Sequence, residues 1–232
     1  MRQRMRINKY LSHYGVCSRR EADRRIDSGR VYIDGLIAKK GDEVTPGQVV
    51  TVDGEKVSEL HEIVVLAYNK PVGVICTTSE KEHPNLNDVI DYHERVFPIG
   101  RLDRDSSGLL LLTNDGELAE ELMRGRNNHE KEYTVRIDKP IKKEIIKAME
   151  QGVPLEERMT KPCRIKQTGD REFQIILTQG MNRQIRRMCE YFGYRVVFLR
   201  RVRVVNIMLD DLPDGHFRVL TDVEINGLHS LI

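Results

Sequence analysis

The sequence predicts an α+β protein with a mixed, largely antiparallel sheet, preceded by a small basic α+β module. Two observations lead there. After residue 63, apolar or alternating stretches of strand length outnumber helical patterns and do not alternate with helices as a βαβ chain would. Charge is also uneven: residues 1–40 hold eleven Lys/Arg against four Asp/Glu, within a net charge of +2 for all 232 residues. A basic end is therefore joined to a roughly neutral body, and such asymmetry says more about partners than the sum does.

In the basic module, Ile7 and Leu11 share one helical face and Ala22 and Ile26 another, with Gly15 between them. Ser18, three residues before Glu21, fits a capping box opening the second helix, and Gly29 suits its C-terminal cap. Two short strands are expected around the hairpin dipeptide Asp34-Gly35, and a last one over 49–52 before Asp53-Gly54. Residues 1–57 are thus read as one domain, 58–62 as a polar linker and 63–232 as a second domain.

Within the second domain, 63–67 reads as an apolar strand running into Tyr68-Asn69-Lys70-Pro71, where Pro71 ends pairing. Residues 109–112 are four consecutive leucines, the pattern of a strand buried on both faces, closed by Asn114-Asp115-Gly116. Residues 131–137 alternate, with Tyr133, Val135 and Ile137 on one face. A helix is expected over 141–149, strands over 163–166 and 172–177, and a helix over 184–192, where Ile185, Met188, Cys189 and Phe192 recur at helical spacing before Gly193. Strands over 195–199 and 202–209 follow.

Composition excludes several classes of function. No stretch approaches the ~18 apolar residues of a membrane span, and the basic start is not followed by a signal-peptide core, so a cytoplasmic protein is expected. Cys17, Cys76, Cys163 and Cys189 are scattered without the paired spacing of a zinc site or disulfide framework. Neither a phosphate-binding glycine loop nor a dinucleotide fingerprint occurs, so no cofactor is expected.

The densest chemistry is the stretch Gly100-Arg101-Leu102-Asp103-Arg104-Asp105-Ser106-Ser107-Gly108, directly before the leucine strand. A carboxylate held at a strand end can act as nucleophile, base or metal ligand; a surface loop of locally paired charges is the other reading. Asn182-Arg183-Gln184-Ile185-Arg186-Arg187-Met188 sets three arginines at a helix start, where backbone N–H groups already favour anions. Arg19, Arg20, Arg24 and Arg25 form a basic stripe on the second helix, which with Arg6, Lys9 and Lys39-Lys40 fits a nucleic-acid backbone.

The amino-terminal run, from Arg6-Ile7-Asn8-Lys9-Tyr10-Leu11 through Ser18-Arg19-Arg20-Glu21-Ala22 to Val31-Tyr32-Ile33-Asp34-Gly35, resembles the S-four-type RNA-binding domain. The remainder resembles the RsuA-type pseudouridine synthases, most of all their RluF branch. The matching pieces are Asn69-Lys70-Pro71-Val72-Gly73, Gly100-Arg101-Leu102-Asp103, Lys131-Glu132-Tyr133 and the 182–188 motif, in family order. The resemblance implies a monomeric isomerase that needs no cofactor and converts uridine to pseudouridine in ribosomal RNA, specifically that of the large subunit. It implies that Asp103 is catalytic, Tyr133 stacks on the target base, and Arg186 pairs with the catalytic carboxylate and keeps it ionised. Lys70, Arg101, Arg183, Arg187 and Leu199 would contact the substrate, with Arg6, Lys9, Arg19, Arg20 and Arg24 on the RNA. Asp105 would be a bystander. A noncatalytic RNA-binding or ribosome-assembly protein with the same fold is the alternative; a metal-dependent hydrolase using Asp103 and Asp105 lacks further clustered ligands.

Overall fold

The computed structural model describes residues 4–57, 63–77, 81–124, 128–156 and 158–231; the expected linker 58–62 lies outside them. Contacts divide the chain into two compact units, Met1–Val64 with Tyr92–Val96 and Asn114–Gly116, and Val65–Asp91 with Phe97–Thr113 and Glu117–Ile232.

The first unit runs β1 (Met5–Arg6), α1 (Ile7–His13), α2 (Arg19–Asp27), β2 (Val31–Ile33), β3 (Leu36–Ile37), β4 (Glu43–Val44), β5 (Val50–Val52) and β6 (Glu55–Lys56). Ile7, Leu11, Ala22 and Ile26 meet Val31, Val50 and Val52 in its core, as the periodicity expects. Ser18 Oγ accepts the Glu21 N–H at 3.2 Å, so the cap forms. The Glu21 carboxylate turns instead to Arg24 and Arg25, leaving only half of the expected capping box. Asp34 and Gly35 both take positive φ, 49° and 81°, the geometry a two-residue hairpin requires. The β1–β4 pair and β6 had no signal in the sequence, since two-residue strands carry no readable period.

The second unit contains β7 (Val65–Lys70), α3 (Leu86–Val89), β8 (Phe97–Pro98), β9 (Ser107–Thr113), α4 (Gly116–Met123), β10 (Lys131–Ile137), α5 (Lys143–Glu150), β11 (Pro154–Leu155), β12 (Arg158–Met159), β13 (Arg164–Gly169), β14 (Glu172–Leu177), α6 (Gln184–Tyr191), β15 (Val196–Val204), β16 (Ile207–Met208), β17 (Phe217–Val219) and α7 (Asp222–Leu231). A nine-stranded sheet follows the order β13-β14-β10-β15-β9-β7-β17, with β16 on β15 and β8 on β9. All its pairings are antiparallel except β15 with β9. The mixed, largely antiparallel sheet is therefore the one the sequence predicts. β9 is buried at all seven positions, as its leucines require.

Several boundaries differ. β7 runs on through Tyr68, Asn69 and Lys70, all fully buried. The two strands expected over 195–209 are chiefly one, β15, because Arg200 and Arg201 do not break it: they pair with Ser107 and Gly108 of β9. Helices α4 and α7, with Leu220 just after β17, complete a second apolar cluster around β7 and β9, whereas α5 and α6 cover the cluster around β10 and β14.

The β9–β15 junction depends on Gly108. Its φ is 103°, and a Cβ there would lie 2.2 Å from the Arg201 carbonyl oxygen and 2.7 Å from the Arg201 nitrogen. Gly108→Ala is expected to destabilise the unit by ~3 kcal/mol or more, lowering Tm in a thermal melt by roughly 10 °C; an unchanged Tm would show that the strands part without cost. A milder test lies at the far edge. Arg218 donates to both Glu224 oxygens at 2.9 and 2.7 Å, and Thr221 N–H adds a bond at 2.9 Å. Led by the Arg218 bond, these contacts pull the Glu224 pKa down to about 2. A folded-state pKa below the unfolded one stabilises at neutral pH, and that stability is lost as pH falls from about 4.5 towards 2. Arg218→Met should thus cost ~1 kcal/mol in denaturant titrations at pH 7 and almost nothing near pH 2.

Candidate active site

The segment between β8 and β9 carries the charged stretch and is fixed by its backbone. Ile99 N–H bonds to Leu111 O at 2.8 Å, and Leu102 N–H donates to Cys76 Sγ at 3.3 Å. Gly73 N–H reaches Arg104 O at 2.7 Å, and Arg104 Nε donates back to Gly73 O at 3.2 Å. Beneath the 71–74 turn, the Lys70 ammonium donates to the Pro71 and Val74 carbonyls, each at 2.8 Å. Burial lowers the Lys70 pKa, and nearby Cys76, Asp105 and Asp103 oppose that shift. Lys70 is 0% exposed, which corrects its expected contact with substrate: its cation is spent on the turn that seats the Asp103 segment.

Asp103, half-buried, lines a cavity of about 770 Å³ together with Arg101, Lys131, Tyr133, Arg183, Leu199 and Arg201. That volume lies within the usual range for a small-molecule or nucleotide pocket. Its walls come from different strands: Asp103 precedes β9, Lys131 and Tyr133 sit on β10, and Leu199 and Arg201 on β15. In the pairing register Tyr133 faces Arg201, which faces Gly108, so one row of residues crosses the sheet into the pocket. The β10–β15 register shifts between Glu132 and Tyr133; such bulges re-aim side chains beside functional sites.

Arginines of the 182–188 motif reach the loop from the far side. Arg183 takes a left-handed conformation, φ 48°, at the N-cap of α6, a strain of order 1–2 kcal/mol for a non-glycine residue. From there its guanidinium grips the Asp105 carboxylate at 3.1 and 3.2 Å. Arg186, buried, donates to the Asp105 carbonyl at 2.8 Å, Ser106 Oγ at 3.3 Å and the Val196 carbonyl at 3.3 Å, and its Nε lies 3.4 Å from Asp105 Oδ2. Burial raises the Asp105 pKa, but the Arg183 bond and the charges of Arg186 and Arg183 outweigh it and hold the carboxyl below its usual value.

This geometry corrects the expected pairing. Arg186 clamps the backbone and side chain of Asp105, and among the described residues Asp103 has no ion pair. Asp105 is a structural anchor, because it lies on the side of the loop facing α6, where the arginine-rich helix start draws an anion. Arg187 is also displaced from its expected role. It lies outside the cavity lining and pairs with Glu156 at 2.9 Å.

In the first unit Arg6, Arg19 and Arg20 are exposed and Lys9 is half-buried. Arg24 is exposed too, but part of its charge is met by Glu21 at 2.8 Å. Sequence reasoning left Lys131, Arg201 and His129 out of the site, although all three line the cavity. Strand alternation could have found the first two, since Lys131 is two residues from Tyr133 and Arg201 two from Leu199.

A family model for RNA pseudouridylate synthase matches residues 64–191, and an S4 domain model matches residues 5–50. The chain is 50% identical over 230 residues to the dual-specificity RNA pseudouridine synthase RluF of Escherichia coli (strain K12), covering 98% of this chain and 79% of that protein. It is 36% identical over 237 residues to ribosomal large subunit pseudouridine synthase B of Bacillus subtilis (strain 168), covering 97% and 96%. A crystal structure of a pseudouridylate synthase superposes with a TM-score of 0.72 at 29% identity, over 97% of this chain and 99% of that one. The ordered motifs, the sheet that gathers them round one cavity and these matches agree: the chain belongs to the RNA pseudouridylate synthase family and carries an S4 domain at its amino end.

Proposed function

We propose that this isomerase converts a uridine of large-subunit ribosomal RNA to pseudouridine, with Asp103 as its essential carboxylate. The observation that supports this most is that Asp103 and Tyr133 line one cavity although Asp103 stands in the loop before β9 and Tyr133 on β10. The reaction breaks the bond from ribose to the ring nitrogen, turns the base and rejoins it through a ring carbon. A carboxylate free of ion pairs can approach a sugar with oxocarbenium character, as in glycoside hydrolysis. Tyr133 offers a flipped base a stacking surface, worth ~1–3 kcal/mol against the cost of leaving the RNA stack. Arg186 acts through Asp105 and Ser106, holding the loop that presents Asp103. Arg101 supplies positive charge at the cavity, and Arg183 lines it while paired with Asp105.

In this reading residues 1–57 form the RNA-binding domain and 63–232 the catalytic domain. Arg6, Lys9, Arg19, Arg20 and Arg24 lie along the RNA backbone, with Arg19 and Arg20 offering the more available charge. The same reading takes the enzyme as a monomer. On this reading the enzyme meets its ribosomal RNA substrate in the cytoplasm.

Asp103→Asn is expected to reduce pseudouridine formation by ~10³-fold or more while RNA affinity and Tm stay at wild-type values, with pseudouridine detected by carbodiimide reactivity on unmodified ribosomal RNA. Persistent isomerisation would remove Asp103 from the chemistry. For the basic module, the double variant Arg19→Gln/Arg20→Gln should weaken RNA binding and lower the slope of log Kd against log salt by about 0.7–0.9 per lost phosphate contact. Filter binding at several salt concentrations reads this out; a wild-type slope would place the RNA elsewhere.

A further inference from the structure

Lys131 is a half-buried cation whose surroundings do not use it up. Its Nζ makes a single long bond, 3.3 Å, to the His129 carbonyl, and among the described residues it has no carboxylate partner. An ammonium has three donors, and the fully buried Lys70, by contrast, engages two carbonyls at 2.8 Å. Its cross-strand neighbours Leu177 and Val204 are apolar. Burial, with the adjacent Arg201, lowers the Lys131 pKa to about 8, which still leaves it charged at neutral pH. His129 beside it is 6% exposed, and its buried Nε2 has no hydrogen-bond partner. This wall of the cavity therefore holds positive charge and unspent polar groups, and Asp103 lines the same cavity from the loop before β9.

Lys131 and Tyr133 are two residues apart on β10, on the same face of the strand. The separation is about 7 Å along a strand, comparable to the half-width of a pyrimidine plus a hydrogen bond. A base stacked on Tyr133 would thus present a carbonyl oxygen to Lys131. We propose that Lys131 is a further catalytic residue, donating a hydrogen bond to a uracil carbonyl oxygen and stabilising the uracil anion that forms when the base leaves the sugar. This rests on the assignment of the cavity as the active site.

The step balances without a further reactant. As the N1–C1′ bond breaks, its electron pair goes to N1 and spreads over O2 and O4, where the ammonium meets the growing charge. After the base turns, C5 bonds to C1′, the C5 proton departs, and N1 gains one proton. Lys131 keeps its own proton throughout. A donor aimed at charge that appears only during reaction contributes typically ~10²–10³-fold in rate.

The test is the single-turnover rate of glycosidic-bond rearrangement by the full chain at saturating large-subunit ribosomal RNA transcript, made with uridine or with 5-fluorouridine and read as loss of the starting nucleoside, because the fluorinated base has no C5 proton to release and stops once C5 has bonded to C1′. Fluorine stabilises the uracil anion, so a base that carries it depends less on an external cation. Lys131→Met should slow the uridine reaction by ~100-fold with Kd and Tm close to wild type, slow the 5-fluorouridine reaction several-fold less, and be partly rescued in Lys131→Arg. Lys131→Gln provides a second neutral variant if the methionine disturbs folding. A wild-type rate, equal slowing of both bases, or weaker RNA binding with an unchanged saturated rate would each overturn the inference, the last by assigning Lys131 to a phosphate. Asp103→Asn is run in parallel. If it is inactive while Lys131→Met is unimpaired, only the role of Lys131 falls; if it is active, the assignment of the cavity itself falls.

Discussion

The catalytic unit depends on the seam where Gly108 lies against the backbone of Arg201. There the sole parallel pairing of the large sheet, Ser107 with Arg200 and Gly108 with Arg201, joins the β7–β9–β17 side to the β10–β13–β14–β15 side. Each side has its own apolar cluster. Arg201 reinforces the seam, for its Nε donates to the Leu109 carbonyl at 2.7 Å. The pocket opens along this seam, so the approach of the two backbones determines where Asp103 stands relative to Tyr133. A side chain at position 108 would push the strands apart, and the site would lose its geometry before either half lost its core.

On the proposed function, the two aspartates of the loop divide structure from chemistry. Asp105 neutralises the arginine-rich start of α6, which fixes the loop from outside the cavity. Lys70 and Cys76 fix it from the side of the 71–76 segment. With these restraints elsewhere, Asp103 is positioned through its backbone and its carboxylate remains unpaired among the described residues. That arrangement suits a carboxylate that must reach a substrate atom, since a direct salt bridge to Arg186 would have to be broken or shared at each turnover.

Much of this was legible in the sequence where a residue's environment has a period or a local rule. The leucines at 109–112, the alternation of 131–137 and the helical spacing of Ile185, Met188 and Cys189 each report burial directly. The seam is not legible that way. Arg200 and Arg201 look like a polar break between strands, yet β9 supplies partners for their backbone, and Arg201 finds a carbonyl that no local pattern announces. Lys70 misleads similarly: a lysine in a family motif suggests substrate, and its acceptors are the carbonyls of a turn that exists only once Pro71 has ended the strand. The exchange of Asp103 for Asp105 as the partner of Arg186 turns on which side of one short loop faces α6, a tertiary fact two residues of sequence cannot carry.

Burying Lys70, Arg186 and Arg201 around one loop is expensive unless each cation finds acceptors. Each does, and most of those acceptors are backbone carbonyls: Pro71 and Val74, Asp105 and Val196, and Leu109. Carbonyls satisfy hydrogen bonds without cancelling charge, so a positive field persists about the pocket. A field held by fixed groups needs no reorganisation when negative charge develops in a bound nucleotide, and this is the main electrostatic advantage a preformed site has over water. Lys131 extends the same logic into the cavity itself, with the difference that its donors have not been committed to the fold. The sheet thus separates cations that build the site from one that remains available within it.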